Sequence, residues 1–163
     1  MVTPGDPAPA FTVPMAGGDG YDDVSERSLS ELLSDGPIVL AFVPGAFTSG
    51  CTDELQTIDA SMDRFRRRNC RVFGVSVDLP FAQNIWMERA GFDIPLLSDW
   101  NHELIHAYDV VYPDMYGSIE SAERSVFVID RDGIVRYRWM RGDENPDFDV
   151  FVEDLIAEID ALD

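Results

Sequence analysis

The sequence contains no lysine, and basic side chains of any kind are scarce. All 12 basic residues are arginine, against 21 Asp and 10 Glu, so the formal net charge is −19. Binding to nucleic acid needs a basic face that neutralises phosphates, and binding to anionic lipid needs a similar surface. We therefore expect neither a nucleic-acid partner nor a membrane partner.

The missing lysine also bears on the solvent in which the protein works. Repulsion among so many carboxylates destabilises a compact state, whereas molar salt shortens the screening length to about 3 Å. Compact, hydrated carboxylates without the long apolar stem of lysine are typical of extreme halophiles, so we expect a salt-adapted protein. The alternative is an ordinary acidic protein from a GC-rich genome, in which codon usage favours arginine.

Cysteine and long apolar runs are also scarce. Two cysteines are too few for a disulfide framework. The first residues lack the basic and apolar regions of a signal peptide, and no apolar run approaches the roughly 18 residues of a membrane span. Hydrophobic residues still make up 45% of the chain, which excludes disorder. We expect a cytoplasmic protein that folds as a single domain over residues 1–163.

A continuous apolar run at 38–43 is typical of a strand buried on both faces, and a second buried strand is predicted at 72–77. A short strand is predicted at 94–97, and the turn residues at 130–133 predict a hairpin between two further strands. The stretch 113–123 is predicted to be a loop. Helices are predicted over 28–33, from Cys51 to an end within 66–69, over 80–90 and 101–108, and from Asn145, as a cap residue followed by Pro146, to 162.

This order of elements predicts an α/β fold with a central mixed sheet flanked by helices. It is similar to a thioredoxin-like architecture with insertions. Ligand chemistry in such sheets lies where a strand ends and a helix begins. The loop from Pro44 to Cys51 lies at such a point.

Cys51 lies at the predicted start of a helix that follows a buried strand. The free N–H groups of a helix N-terminus favour an anion, and therefore a thiolate. Asp53 and Glu54 oppose the thiolate because they are like charges. A thiolate therefore needs a nearby cation, and since there is no lysine we expect Arg124, just before a buried strand, to supply it. The alternative is that Cys51 is a small buried apolar residue.

The segment Pro44-Gly45-Ala46-Phe47-Thr48-Ser49-Gly50-Cys51 has the pattern P-x-x-x-T-x-x-C and resembles the signature of the peroxiredoxin (AhpC/TSA) family. Three later blocks, at 78–86, 95–99 and 124–130, also resemble that family. The resemblance runs over about residues 4–160 and implies a thioredoxin-like fold with peroxiredoxin insertions. It also implies a thiol-dependent peroxidase without a cofactor or a metal.

The resemblance further implies a role for each site residue. Cys51 attacks the peroxide and becomes a sulfenic acid. The Thr48 hydroxyl and the Arg124 guanidinium hold the peroxide oxygens and stabilise the charge that builds on the leaving oxygen. Pro44 shields the sulfur from water. Glu54 matches a position whose carboxylate orients the arginine, and a solvated acid on the helix face is its alternative.

Cys70 is the second cysteine and the only candidate for an internal resolving partner. A helix over most of the 19 residues between the two cysteines would separate them by about 25 Å. A disulfide needs Cα atoms within about 7 Å. Position 56, where the bacterioferritin-comigratory branch often has its resolving cysteine, is Gln56. We interpret the chain as a one-cysteine peroxiredoxin most similar to the alkyl hydroperoxide reductase E branch, with an intermolecular disulfide through Cys70 as the alternative.

Two other functions compete with this interpretation. His102-Glu103-Leu104-Ile105-His106 has the pattern H-E-x-x-H, which on a helix can ligate zinc for hydrolysis, with Glu120 or Glu123 as a third ligand. So short a pattern also occurs by chance, and the predicted helix is short. The second alternative is a non-enzymatic thioredoxin-fold binding or chaperone module with a buried Cys51.

The peroxidase interpretation implies a set of partners. The substrates are hydrogen peroxide and alkyl hydroperoxides, which the apolar loop around Phe47 would admit. An external thiol, either a thioredoxin- or glutaredoxin-like protein or a small thiol, reduces Cys51. The resemblance also implies a homodimer or a larger homo-oligomer.

Overall fold

A computed structural model describes residues 1–162, within which the chain forms nine strands and six helices. The strands are β1 (Thr12–Ala16), β2 (Val24–Ser28), β3 (Ile38–Phe42), β4 (Arg71–Ser76), β5 (Leu96–Ser98), β6 (Val111–Met115), β7 (Ile119–Ala122), β8 (Ser125–Ile129) and β9 (Val135–Met140). The helices are α1 (Leu29–Leu32), α2 (Ser49–Asp59), α3 (Met62–Arg66), α4 (Pro80–Ala90), α5 (Glu103–Ala107) and α6 (Phe148–Asp160).

Seven strands form one mixed sheet in the order β2-β1-β5-β4-β3-β8-β9. The pairs β3–β4 and β4–β5 are parallel, and the other pairs are antiparallel. The predicted α/β fold with a central mixed sheet is confirmed. The predicted hairpin is also confirmed, as the antiparallel pair β8–β9.

The centre of the sheet is covered on both faces. Every residue of β3 is buried, and successive residues point into two separate apolar clusters. Val39 and Ala41 face the cluster that includes α2 and α6, whereas Leu40 and Phe42 face the cluster that includes α1 and α5. This two-sided burial explains the unbroken apolar run in the sequence.

The prediction of a loop over 113–123 is wrong. Strands β6 and β7 pair as an antiparallel hairpin, separate from the main sheet. Tyr116 and Gly117, between the two strands, both have positive φ angles (51° and 92°), which a tight hairpin turn requires. The strand pattern is hidden in the sequence because β6 has no buried residue and contains Pro113, a residue confined to edge strands.

The prediction of one helix from Cys51 to an end within 66–69 is wrong, because this stretch forms two helices. Helix α2 ends at Asp59, and the backbone of Ser61 (φ −107°, ψ 11°) leaves the helical region before α3 begins. The break lets Phe65 turn into the apolar cluster beneath α2 and α6. None of the helices within residues 1–162 is both long enough and apolar enough to cross a bilayer.

Candidate functional site

The site lies where β3 ends and α2 begins. The loop 44–48 is fixed from two sides. The Ala46 backbone N–H donates to Asp78 Oδ2 at 2.8 Å, and the Thr48 hydroxyl donates to the Gly45 carbonyl oxygen at 2.9 Å. Cys51 is the third residue of α2 and is completely buried. Its thiol therefore lies in the first turn of an 11-residue helix, where the helix dipole favours negative charge.

Arg124 reaches this thiol because of the strand order. It immediately precedes β8, and β8 runs antiparallel to β3 with Ser125 opposite Phe42. The start of β8 is therefore beside the end of β3. The Arg124 side chain is 5% exposed, and its Nη2 donates to Cys51 Sγ at 3.3 Å.

Two further acceptors hold the same guanidinium group. Nη1 donates to Glu54 Oε1 at 2.8 Å, and Nε donates to Asn145 Oδ1 at 3.1 Å. Glu54 is completely buried, so the alternative of a solvated acid on the helix face is wrong. Asp53, the other acid beside Cys51, points to solvent.

Burial and charge shift the pKa values of the ion pair between Glu54 and Arg124 in opposite directions. Burial raises the pKa of Glu54 to about 7, although the charge and hydrogen bond of Arg124 act to lower it. Burial also acts to lower the pKa of Arg124, but Glu54 and Cys51 together raise it above its ordinary value. Arg124 therefore keeps its charge, and Glu54 is the member of the pair that titrates.

The remaining predicted site residues lie at the edge of this cluster. Pro44 and Arg124 line a cavity of about 220 Å³ together with Tyr112, Glu123, Arg141 and Gly142. This cavity leads from solvent to the guanidinium group. Thr48 is half-buried, and no hydrogen bond joins its hydroxyl to Cys51 within residues 1–162.

Cys70 lies at the opposite end of the sheet. It precedes Arg71, which pairs with Ile38 at the start of β3, whereas Cys51 lies beyond the end of β3. The five paired positions of β3 and β4, at about 3.3 Å each, put at least roughly 15 Å between the two ends. Burial raises the pKa of the Cys70 thiol to about 12.

Sequence reasoning missed the role of Asn145. The pattern of Asn145 followed by Pro146 predicted a helix cap, but the cap of α6 is Asp147, whose side chain accepts from the backbone N–H of Asp149 and Val150. The Asn145 side chain instead accepts from two arginines, Arg124 and Arg141. No local pattern could reveal the contact with Arg124, because the two residues are 21 positions apart in the chain.

Trp86, in α4, connects that helix to the site. The side chain is buried, and its indole N–H donates to Thr52 Oγ1 at 3.0 Å. The Thr52 hydroxyl in turn donates to the Thr48 carbonyl oxygen at 2.8 Å. This chain of hydrogen bonds ties helix α4 to the first turn of α2.

The H-E-x-x-H motif does not form a helical zinc site. His102 has a left-handed backbone (φ 63°) and precedes α5, which is only five residues long. His102 Nδ1 and His106 Nε2 both contact Glu120 Oε1, at 2.7 and 2.9 Å. Among residues 1–162, no group of three or more His, Cys, Asp or Glu side chains is arranged to hold a metal ion. The motif is used to join α5 to β7.

A buried cysteine at a helix N-terminus, beside a buried arginine and at the edge of a thioredoxin-like sheet, defines a class of thiol-dependent redox enzymes. Comparison with known proteins narrows the class. Residues 4–138 match the model of the AhpC/TSA family, so the chain belongs to this family, the peroxiredoxins. It is therefore a peroxidase of the oxidoreductase class.

Individual relatives agree with this assignment. The chain is 33% identical over 134 residues to a peroxiredoxin of Mycobacterium tuberculosis, a match that covers 81% of each chain. It is 34% identical over 105 residues to alkyl hydroperoxide reductase E of the same organism, which covers 64% of this chain and 67% of that one. The crystal structure of the peroxidoxin BcpB from M. tuberculosis superposes with a TM-score of 0.85 at 29% identity and covers 100% of this chain and 99% of that one.

Proposed function

We propose that Cys51 is the residue that attacks the peroxide. The observation that carries this proposal is the 3.3 Å contact between Arg124 Nη2 and Cys51 Sγ, made by an arginine that Glu54 holds in place. A fixed positive charge beside the sulfur favours the thiolate, which is the nucleophilic form. Cys70 has no such neighbour, and its thiol is held in the protonated form by burial.

The reaction begins when the Cys51 thiolate attacks one peroxide oxygen. The S–O bond forms as the O–O bond breaks, so the sulfur is oxidised to a sulfenic acid and the peroxide is reduced. The leaving oxygen departs as hydroxide or alkoxide and takes up a proton to become water or an alcohol. The Arg124 guanidinium and the N–H groups at the start of α2 stabilise this developing charge.

Thr48 and Pro44 complete the site in this proposal. The Thr48 hydroxyl donates a hydrogen bond to the Gly45 carbonyl oxygen, so the lone pairs of the hydroxyl oxygen stay available to accept a hydrogen bond from the peroxide. Pro44 lines the entrance to the cavity and limits the access of water to the sulfur. Phe47 lies in the loop 44–48, is 53% exposed, and offers an apolar surface to the organic group of an alkyl hydroperoxide.

An external thiol returns Cys51 to the reduced state. The two cysteines lie at opposite ends of the sheet, and position 56 in α2 is Gln56, so no internal partner is within reach. The reductant is a thioredoxin- or glutaredoxin-like protein or a small thiol. Attack of one thiolate on the sulfenic acid forms a mixed disulfide and expels hydroxide, which takes up a proton to become water. A second thiolate then attacks the reductant's sulfur in the mixed disulfide, which releases the Cys51 thiolate and leaves the reductant as a disulfide.

One experiment tests both the attacking residue and the one-cysteine cycle. The protein is treated with one equivalent of peroxide in molar potassium chloride, with and without dimedone, and digested without reduction for mass spectrometry. We expect the dimedone adduct of a sulfenic acid at Cys51 alone. A disulfide between Cys51 and Cys70 would overturn the one-cysteine cycle, and an adduct at Cys70 instead of Cys51 would overturn the assignment of the attacking residue.

We also propose a homodimer or a larger homo-oligomer. Four exposed apolar side chains follow the ends of the parallel strands β3, β4 and β5, at the edge of the sheet that holds the site: Phe47, Leu79, Phe81 and Trp100. Exposed apolar patches of this kind mark interaction surfaces. Sedimentation velocity in molar salt is expected to show at least a dimer, and a monomer at micromolar concentration would contradict this.

Finally, we propose that the fold depends on high salt. The surface of a chain with a net charge of −19 carries a large excess of carboxylates over arginine partners. Salt screens their repulsion. Helicity followed by circular dichroism is expected to fall as potassium chloride is removed by dialysis, and a spectrum that does not change would contradict the proposal.

A further inference from the structure

Asn145 lies at the centre of a network that connects the segment between β9 and α6 to the site. Its Oδ1 accepts from Arg124 Nε and from Arg141 Nη1, each at 3.1 Å. The backbone N–H of Arg141 also donates to the Arg124 carbonyl oxygen at 3.0 Å. The segment is therefore attached to Arg124 through both its backbone and a side chain.

Asn145 also lies directly against the first turn of α2. A Cβ atom added at Gly50 would be 2.9 Å from Asn145 Nδ2 and 3.1 Å from Arg124 Nη2. Only glycine at this position leaves room for both side chains. The residue before Cys51 is thus matched in size to the pair of Asn145 and Arg124.

We propose that Asn145 is a positioning residue, which fixes the plane of the Arg124 guanidinium group so that Nη2 faces Cys51. This inference rests on the proposed role of Arg124 and Cys51. A guanidinium group is planar, so two fixed edges determine the direction of the third. Asn145 holds the Nε edge and Glu54 holds Nη1, which leaves Nη2 directed at the sulfur.

The absence of charge on the Asn145 side chain is as important for the Cys51 thiolate as the position of that side chain. Arg124 already faces one carboxylate, Glu54, and Glu123 lines the same cavity. A second carboxylate on Arg124 would compete with the thiolate for the same positive charge and disfavour ionisation of Cys51. An amide oxygen accepts the two arginine hydrogen bonds without adding a negative charge.

Three variants separate this role from a purely structural one. Asn145→Asp keeps both acceptor contacts and adds a charge, whereas Asn145→Ala removes both contacts and leaves Arg124 charged. Ser34→Asp is the matched control, because Ser34 is exposed and precedes the start of β3, at the opposite end from the site. Thermal melting and circular dichroism of each variant establish that it is folded.

The first measurement is the rate of Cys51 alkylation by iodoacetamide between pH 5 and 10, followed by mass spectrometry of the Cys51 peptide. We expect Asn145→Asp to move the midpoint of this profile upward by about one pH unit, with a melting temperature close to that of the wild type. Ser34→Asp is expected to leave the midpoint in place. Equal midpoints for Asn145→Asp and Ser34→Asp would overturn the proposal. Both variants keep the hydrogen bonds of residue 145 to Arg124 and Arg141, so a residue with a purely structural role would leave the midpoint unchanged in both.

The second measurement is the stopped-flow rate constant for reduction of hydrogen peroxide. Asn145→Ala is expected to lower it about tenfold through loss of orientation. A wild-type rate constant in Asn145→Ala would overturn the proposal. If this variant fails to fold, the comparison of Asn145→Asp with Ser34→Asp decides. Failure of the proposed function itself would be recognised separately, as the absence of a sulfenic acid at Cys51 in the wild-type protein.

Discussion

Cys51 and Cys70 are both completely buried and belong to the same apolar cluster, yet their surroundings differ in every polar contact. Cys51 lies in the first turn of α2 and accepts a hydrogen bond from Arg124. Within residues 1–162 the Cys70 sulfur has a single polar contact, the Arg71 carbonyl oxygen at 3.8 Å, which cannot stabilise a thiolate. Burial alone thus makes a thiol inert, and a fixed cation with a helix N-terminus makes it suitable for chemistry.

The largest expected effect comes from exchanging each sulfur for oxygen. Cys51→Ser is expected to lower the rate constant for peroxide reduction by at least about a thousandfold, because it removes the nucleophile. Cys70→Ser is expected to retain it. Stopped-flow measurements in molar salt with an excess of small thiol give both values. Loss of activity in a folded Cys70→Ser variant would contradict the claim that only Cys51 is needed for peroxide reduction.

The next effect tests the cation that distinguishes Cys51. Arg124→Gln keeps a donor near the sulfur but removes the charge, and we expect the rate constant to fall about 100- to 1,000-fold. The matched control is Arg136→Gln, because Arg136 pairs with Asp130 at the far end of the hairpin β8–β9. Equal rate constants in the two variants would show that the positive charge beside Cys51 has no role.

Selective labelling compares the two thiols in one folded protein. A pKa of about 12 leaves Cys70 with a thiolate fraction of about one in ten thousand at pH 8. We expect iodoacetamide at pH 8 to label Cys51 at least about a hundredfold faster than Cys70. In denaturant both thiols should react at similar rates. Equal labelling of the native protein would contradict the comparison.

The smallest expected effect concerns Glu54 and follows from its pKa of about 7. Since burial raises this pKa above the unfolded value, the protonated form stabilises the native state at low pH, and this contribution is lost as the pH rises to about 7. Glu54→Gln cannot titrate. Its melting temperature relative to the wild type should therefore rise by about 5–10 °C between pH 5 and pH 8.

Scanning fluorimetry at constant salt measures this difference. The other carboxylates titrate in both proteins and cancel from the comparison. Melting temperatures that stay parallel between pH 5 and 8 would show that Glu54 does not titrate in this range.

Much of the fold could be predicted because its central strands carry a local signal. The apolar run at 38–43, which forms β3, indicates burial on both faces, and the turn residues at 130–133 predict the hairpin β8–β9. Strands β6 and β7 have no such signal, since they pair with each other and β6 has no buried residue. The break between α2 and α3 depends on tertiary packing of Phe65 and is also absent from the local pattern.

The residues of the site also fall into those that a local sequence pattern identifies and those that it does not. Cys51, Thr48 and Pro44 belong to one short motif, so the sequence identified them together. Arg124 was identified through a family resemblance and the absence of lysine, and its contact with the sulfur is present in the structure. Asn145 was assigned to a helix cap, because only the folded chain shows that Asp147 takes that position.

The hydrogen bond between Arg124 and Cys51 joins residues 73 positions apart in the chain. Closing a loop of that length costs entropy, and in this sheet it requires β8 to pair with β3. A chain still emerging from the ribosome, with α2 formed but β8 not yet synthesised, holds a thiol with no cation beside it. The cation therefore reaches the Cys51 thiol only after β8 has been synthesised and has paired with β3.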